Sequence, residues 1–195
     1  MKTSRRKFLA FLSPLPLLGL WALLPKIRPA TLPPTPACDD HDDPTPSQTE
    51  GPYFKPESPE RNSLMEASIS GTKLILTGQV VNTNCQPVAK ALLDWWHADD
   101  AGNYDNNGFR LRGHQYTDNK GNFRLETIVP GLYTGRTRHI HVKVQAPGKS
   151  ILTTQLYFPD EPQNQRDGIY NKVLLMDIKP MEKNVHAGFT FVLPA

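Results

Sequence analysis

Past residue 48 the apolar residues fall into seven short runs, at 73–81, 91–96, 122–128, 139–145, 151–158, 172–178 and 188–193. Each is rich in Val, Ile, Leu, Thr and aromatics, and the runs are separated by Asn, Asp, Gly and Pro, the residues that set turns. Thr117-Asp118-Asn119-Lys120-Gly121-Asn122 carries the side-chain chemistry of a tight reversal, and Val129-Pro130-Gly131 closes the run before it. No apolar pattern of 3.6-residue period extends far enough to predict a long helix. Short, turn-bounded runs predict an all-β protein, an antiparallel β-sandwich with few helices.

The first 48 residues obey a different pattern. A basic start, Ser4-Arg5-Arg6-Lys7, leads into an apolar stretch from Phe8 to Leu24 that Pro14 and Pro16 interrupt. That layout is a signal peptide, and Ser4-Arg5-Arg6-Lys7-Phe8-Leu9 resembles the twin-arginine export motif. We therefore expect a leader over 1–30 that engages the twin-arginine export machinery, then a linker over 31–48 rich in Pro, Thr and Asp. The folded domain is expected over 49–195, and the mature protein is expected outside the cytoplasm, periplasmic or extracellular. Anchoring through an uncleaved leader or through Cys38 is the alternative.

Charge changes the picture once it is divided along the chain. Six of the 22 basic residues lie in the first 30, where no acid occurs, so the remainder is slightly acidic against 19 Asp and Glu. With its basic residues scattered, it offers no electrostatic footprint for nucleic acid. Of the two cysteines, Cys38 and Cys85 can pair after export into an oxidising compartment, or stay free, or Cys38 can carry a lipid. The run Asp39-Asp40-His41-Asp42-Asp43 reads as a solvated acidic patch in the linker.

The sharpest local chemistry is His139-Ile140-His141-Val142-Lys143-Val144. Strand geometry puts His139, His141 and Lys143 on one face and the three aliphatics on the other. Two imidazoles so placed can hold one metal, although the spacing suits ordinary half-exposed histidines equally well. Tyr104 and Tyr133 lie in loops, where tyrosines are usually packing groups with a hydrogen-bonded hydroxyl. His97, His114 and His186 read as structural or surface histidines, and of Trp95 and Trp96 at least one belongs to the core.

Beyond that point the argument rests on resemblance. Leu93-Asp94-Trp95-Trp96-His97-Ala98-Asp99-Asp100-Ala101-Gly102-Asn103-Tyr104, Phe109-Arg110-Leu111-Arg112-Gly113, Pro130-Gly131-Leu132-Tyr133-Thr134-Gly135-Arg136, the histidine run and Leu152-Thr153-Thr154-Gln155-Leu156-Tyr157-Phe158 closely resemble the intradiol ring-cleavage dioxygenases, in family order. The likeness is strongest to their secreted, protocatechuate-dioxygenase-like branch. Thr49-Glu50-Gly51-Pro52-Tyr53-Phe54 looks like the family's segment on the substrate side. The resemblance implies ferric iron held by Tyr104, Tyr133, His139 and His141, with Arg136 and Gln155 in the pocket and Tyr133 leaving the ligand set when substrate binds. Arg138 competes with Arg136 for the cationic role.

It further implies a catechol-type substrate and dioxygen as partners, and cleavage between the two hydroxylated carbons to a muconate-type diacid. The pocket positions outside the ligand set match no single substrate class, a counterpart to the N-terminal helical domain of catechol 1,2-dioxygenases is lacking, and homo-oligomer formation stays open. Two rival readings share part of the pattern. An exported prealbumin-like binding module uses the same turn grammar but has no need of His-x-His, of the arginine three residues before it, or of the Gln155 strand. A cupin places a carboxylate shortly after its histidine pair, whereas no Asp or Glu occurs between His141 and Asp160.

Overall fold

The computed structural model describes residues 43–180 and 184–195. The leader expected over 1–30, the linker as far as residue 42 and Cys38 lie outside the described residues; Cys85 is not a free thiol. Eight strands are present: β1 Lys73–Asn82, β2 Leu92–Trp96, β3 Arg112–Tyr116, β4 Asn122–Ile128, β5 His139–Gln145, β6 Ile151–Tyr157, β7 Asp177–Pro180 and β8 Val185–Leu193. The helical pieces among the described residues are two short 3-10 turns, Pro162–Gln165 and Lys172–Leu174.

The strands form two four-stranded sheets, ordered β4-β1-β8-β7 and β3-β2-β5-β6. Alternation explains their facing. In β4, Phe123, Leu125 and Thr127 are buried while Asn122 and Arg124 are exposed. In β5, Ile140, Val142 and Val144 enter a core with Trp95, Leu93, Leu76, Leu125 and Phe191. Each such side chain, taken from water, contributes about 1.5–3 kcal/mol. Trp95 points into this core, and Trp96, its neighbour on β2, is buried on the opposite face.

Three details differ from expectation. The sandwich is antiparallel except at one seam, where β1 pairs β8 in parallel, Leu74 opposite Val185 through Asn82 opposite Leu193. The run at 172–178 is not one strand: Asn171 caps a 3-10 turn by accepting from the Val173 amide, and β7 starts only at Asp177. β3 was not among the apolar runs, because Arg112-Gly113-His114-Gln115-Tyr116 has almost no aliphatic character; cross-strand pairing to β2 makes it a strand.

The segment before β1 is docked ahead of residue 49. Thr45 N–H donates to Val192 O (2.9 Å), Gln48 N–H donates to Thr153 O (2.8 Å), and the Thr154 hydroxyl donates to Pro46 O (2.8 Å). This strap continues across the outer face of the β3-β2-β5-β6 sheet, the face that carries the histidine pair.

Candidate metal centre and active site

Register gathers the site at one end of that sheet. His141 lies opposite Trp96 on β2 and Gln155 on β6, and His139 lies opposite Tyr157. Because side chains alternate, all five project outward from the sandwich. The strap roofs them: Gly51 lies over His141, Phe54 meets the Trp96 ring at 4.9 Å, and Lys143 reaches both the Phe54 ring (3.6 Å) and Glu50 (2.5 Å). Trp96 lies flat on His141, with centroids 4.8 Å apart and planes 7° apart.

Two loops deliver the tyrosines. Tyr104 follows a turn in which Asp99 accepts from the Ala101 and Asn103 amides, and Tyr133 follows the turn at Pro130 and Gly131. The loops touch backbone to backbone, Gly131 N–H donating to Asp99 O at 2.7 Å. Glycine is required at this seam: a Cβ on Gly102, where φ is +85°, would collide with the Leu132 carbonyl, and one on Gly131 with Asp100 O. The result is a cluster in which Tyr104 and Tyr133 meet edge to face at 5.9 Å. Tyr53 from the strap stacks on Tyr104 (4.3 Å, 10°) and bonds the Tyr133 hydroxyl at 2.9 Å.

Donor geometry within the cluster is specific. His139 Nδ1 lies 2.6 Å from Thr137 O, and a carbonyl can only accept, so that nitrogen carries the proton and Nε2 presents a lone pair. The lone pair faces His141 Nε2 at 3.1 Å and the Tyr104 hydroxyl at 3.3 Å. Burial holds both imidazoles neutral: His139 is pushed down to about 4 and His141 well below its ordinary value. Burial likewise pushes the Tyr104 phenol up, against the pull of the Arg136 and Arg112 guanidinium groups. A buried phenol so placed ionises only beside another cation.

This donor set fits a metal ion. Two neutral imidazoles with converging nitrogens and a phenol that lacks its counter-charge form a site completed by a hard cation. Among the described residues no group of three His, Cys, Asp or Glu could hold one, and the group that stands beside the histidine pair is the Tyr104 phenol.

Arg136 enters the same cluster. Its Nε donates to Asp167 (2.8 Å) and its Nη2 to Gln155 Oε1 (2.7 Å), while Gln155 Nε2 donates to Thr49 O of the strap (2.8 Å). Arg138 is committed elsewhere, to Glu161 at 2.6 Å and to the Pro130 carbonyl. All six residues singled out in the sequence converge here. His97 does not: both its nitrogens are used, on Ala98 O (2.7 Å) and the Thr127 hydroxyl (2.6 Å), inside the fold. His114 bonds Ser58, and His186 sits on β8 in the other sheet.

Sequence reasoning missed Asp167, which no motif announced, and gave Arg112 no role beyond its place in the motif at 109–113. Arg112 is 2% exposed and joins the strap to the Tyr104 loop, donating to Tyr53 O (2.6 Å) and through Nε and Nη2 to Asp105 O (3.1 and 2.9 Å). Tyr53 was present only as part of the strap motif.

Comparison with known proteins bears on this geometry. A family model described as "Dioxygenase" matches residues 49–185. The chain is 30% identical over 148 residues to catechol 1,2-dioxygenase from Candida albicans, covering 62% of this chain and 49% of that protein. Among solved structures, the dioxygenase domain of a dioxygenase carbohydrate-binding protein fusion from Streptomyces sp. SirexAA-E is 54% identical. Its TM-score is 0.77, with 78% of this chain and 99% of that one covered. 3-Chlorocatechol 1,2-dioxygenase from Rhodococcus opacus 1CP is 32% identical with a TM-score of 0.73, covering 77% and 72%. The chain spans about half the length of the full-length relatives it matches.

Fold, site and likeness thus define a dioxygenase β-sandwich. More particularly, the chain belongs to the intradiol ring-cleavage dioxygenase family. That membership displaces the prealbumin-like and cupin readings.

Proposed function

We propose that this protein is an exported non-haem Fe(III) dioxygenase that cleaves catechol-type rings between the two hydroxylated carbons, incorporating dioxygen to give muconate-type diacids. Tyr104, Tyr133, His139 and His141 are the residues that would hold the iron. The observation that carries the reading is the convergence of the His139 and His141 Nε2 atoms, 3.1 Å apart, with the Tyr104 hydroxyl 3.3 Å from the first. Ferric iron, when bound, supplies Lewis acidity toward a catecholate.

The chain's own residues divide the remaining work. The Tyr133 hydroxyl already has a partner in Tyr53 at 2.9 Å. Held as a tyrosinate beside the metal, its oxygen would take the proton of an incoming catechol hydroxyl, leaving a catecholate, and the phenol so formed would rest on the Tyr53 hydrogen bond. Gln155 and the strap at Thr49 bound the pocket beside Arg136. Arg136, fixed through two of its nitrogens, opposes the negative charge that moves into the ring as it reacts with dioxygen. A donor already in place costs nothing to reorganise at that moment. Trp96 and Phe54 close the inner wall against water.

The test is metal content and colour. The full chain loaded with ferric iron should bind about one equivalent and show a strong visible tyrosinate charge-transfer band. A colourless protein that takes up no ferric iron overturns the proposal.

A further inference from the structure

The three residues that lead into the histidine strand each have a side chain held by a different residue of the segment after β6. Arg138 is held by Glu161 (2.6 Å), Thr137 by Asn164 (2.6 Å) and Arg136 by Asp167 (2.8 Å). The holding residues recur every three positions around the turn Pro162–Gln165, and three residues is the spacing at which side chains of a 3-10 turn line up on one face. This segment is a clamp, matched residue for residue to the lead-in of β5.

Asp167 is its buried end, 7% exposed. One carboxylate oxygen accepts from both Arg136 Nε (2.8 Å) and the Thr137 amide (2.9 Å); the other accepts from the Ile169 amide (3.1 Å). Burial pulls its pKa upward, but these donors outweigh it and hold the group below the ordinary carboxylate range, so it is an anion at neutral pH. Thr137, gripped at its amide by Asp167 and at its hydroxyl by Asn164, presents the carbonyl that fixes His139 Nδ1.

We propose that Asp167 is a positioning residue serving two groups of the site at once. It aims the Arg136 guanidinium into the pocket, and by pinning Thr137 it keeps the His139 Nε2 lone pair turned toward His141 and Tyr104. The inference rests on the roles given above to Arg136 and His139. Its alternative is an ion pair that merely stabilises the fold.

Asp167→Asn, nearly isosteric but uncharged, separates the two. In the iron-loaded full chain we expect kcat to fall on the order of 10²-fold, as misplacement of a catalytic group by about 1 Å does, with a smaller change in KM and iron content retained. In an Arg136→Leu background the same change should cost several-fold less than in the parent, because only the part that acts through Thr137 and His139 remains. Asp167→Glu, which keeps the charge, should recover part of the loss. Independently of turnover, the Arg136 Nε–H resonance of the metal-free full chain should be protected from exchange in the parent and lose that protection in Asp167→Asn. A loss of kcat as large in the Arg136→Leu background as in the parent overturns the proposal, as does a protected resonance in Asp167→Asn. If the iron-loaded parent cleaves no catechol, the functional reading fails, while the resonance still decides whether the clamp aims Arg136.

Discussion

Replacing Arg112 by Met tests whether one buried guanidinium ties the strap to the tyrosine loop. Met keeps the length of the stem and removes three hydrogen bonds, one to Tyr53 O and two to Asp105 O. Two half-buried carbonyls then lose their donor, at about 1–1.5 kcal/mol each, the lower part of the range for an unsatisfied acceptor. Against this stands relief of the guanidinium's own burial, which already lowers its pKa. The net expectation is a loss of about 1–3 kcal/mol, or several degrees in Tm at about 2–4 °C per kcal/mol for a domain of this size. Urea unfolding should show a lower midpoint with the slope unchanged. Because Tyr53 also stacks on Tyr104 and bonds Tyr133, the visible band of the iron-loaded variant should shift and KM for catechol should rise. Arg112→Lys, whose point charge reaches one carbonyl rather than two, should fall between. An unchanged midpoint together with parental KM would refute the reasoning.

The two phenols proposed as ligands should not be equivalent: Tyr104→Phe should impair iron retention, while Tyr133→Phe should keep some iron with altered colour and slower turnover, and a parental spectrum in both would remove them from the ligand set. His97 is fully buried and pushed down to about 4 by that burial, so it is neutral in the fold while the unfolded chain binds a proton below about 6.5. Stability is then complete above pH 6.5 and declines as pH falls toward 4, by roughly 3 kcal/mol for this residue alone, with His139 and His141 adding in the same direction in the metal-free chain. His97→Gln should flatten that decline in pH-dependent urea melts; equal slopes would contradict the assignment. Replacing Arg5 and Arg6 by Lys should block export through the twin-arginine route, and unchanged export in cells lacking only the general pathway for unfolded proteins would exclude it.

Much of the fold was legible because it depends on local alternation. His139 to Val144 sorts onto two faces by strand geometry alone, and the turns at Asp118 and Pro130 are set by the residues they contain. What was not legible is non-local. No pattern within β1 or β8 says that they pair in parallel, and β3 is a strand only because β2 lies beside it. The site divides in the same way. The histidine pair could be suspected from spacing, whereas Tyr104 and Tyr133 became candidates only through family resemblance, since their proximity depends on two loops meeting at Gly102 and Gly131. Asp167 had no signal at all: 31 residues separate it from Arg136, and an aspartate in a polar turn looks like any other.

The most direct test of the central claim is the identity of the product. Iron-loaded full chain, incubated with catechol, protocatechuate or a substituted catechol under isotopically labelled dioxygen, should yield a colourless muconate-type diacid. By mass and ultraviolet absorption it should carry both atoms of the labelled oxygen, because cleavage falls between the hydroxylated carbons of a ring activated at a ferric site. A yellow semialdehyde, formed by cleavage beside the hydroxyl pair, or full recovery of every substrate by a correctly loaded protein, would contradict it.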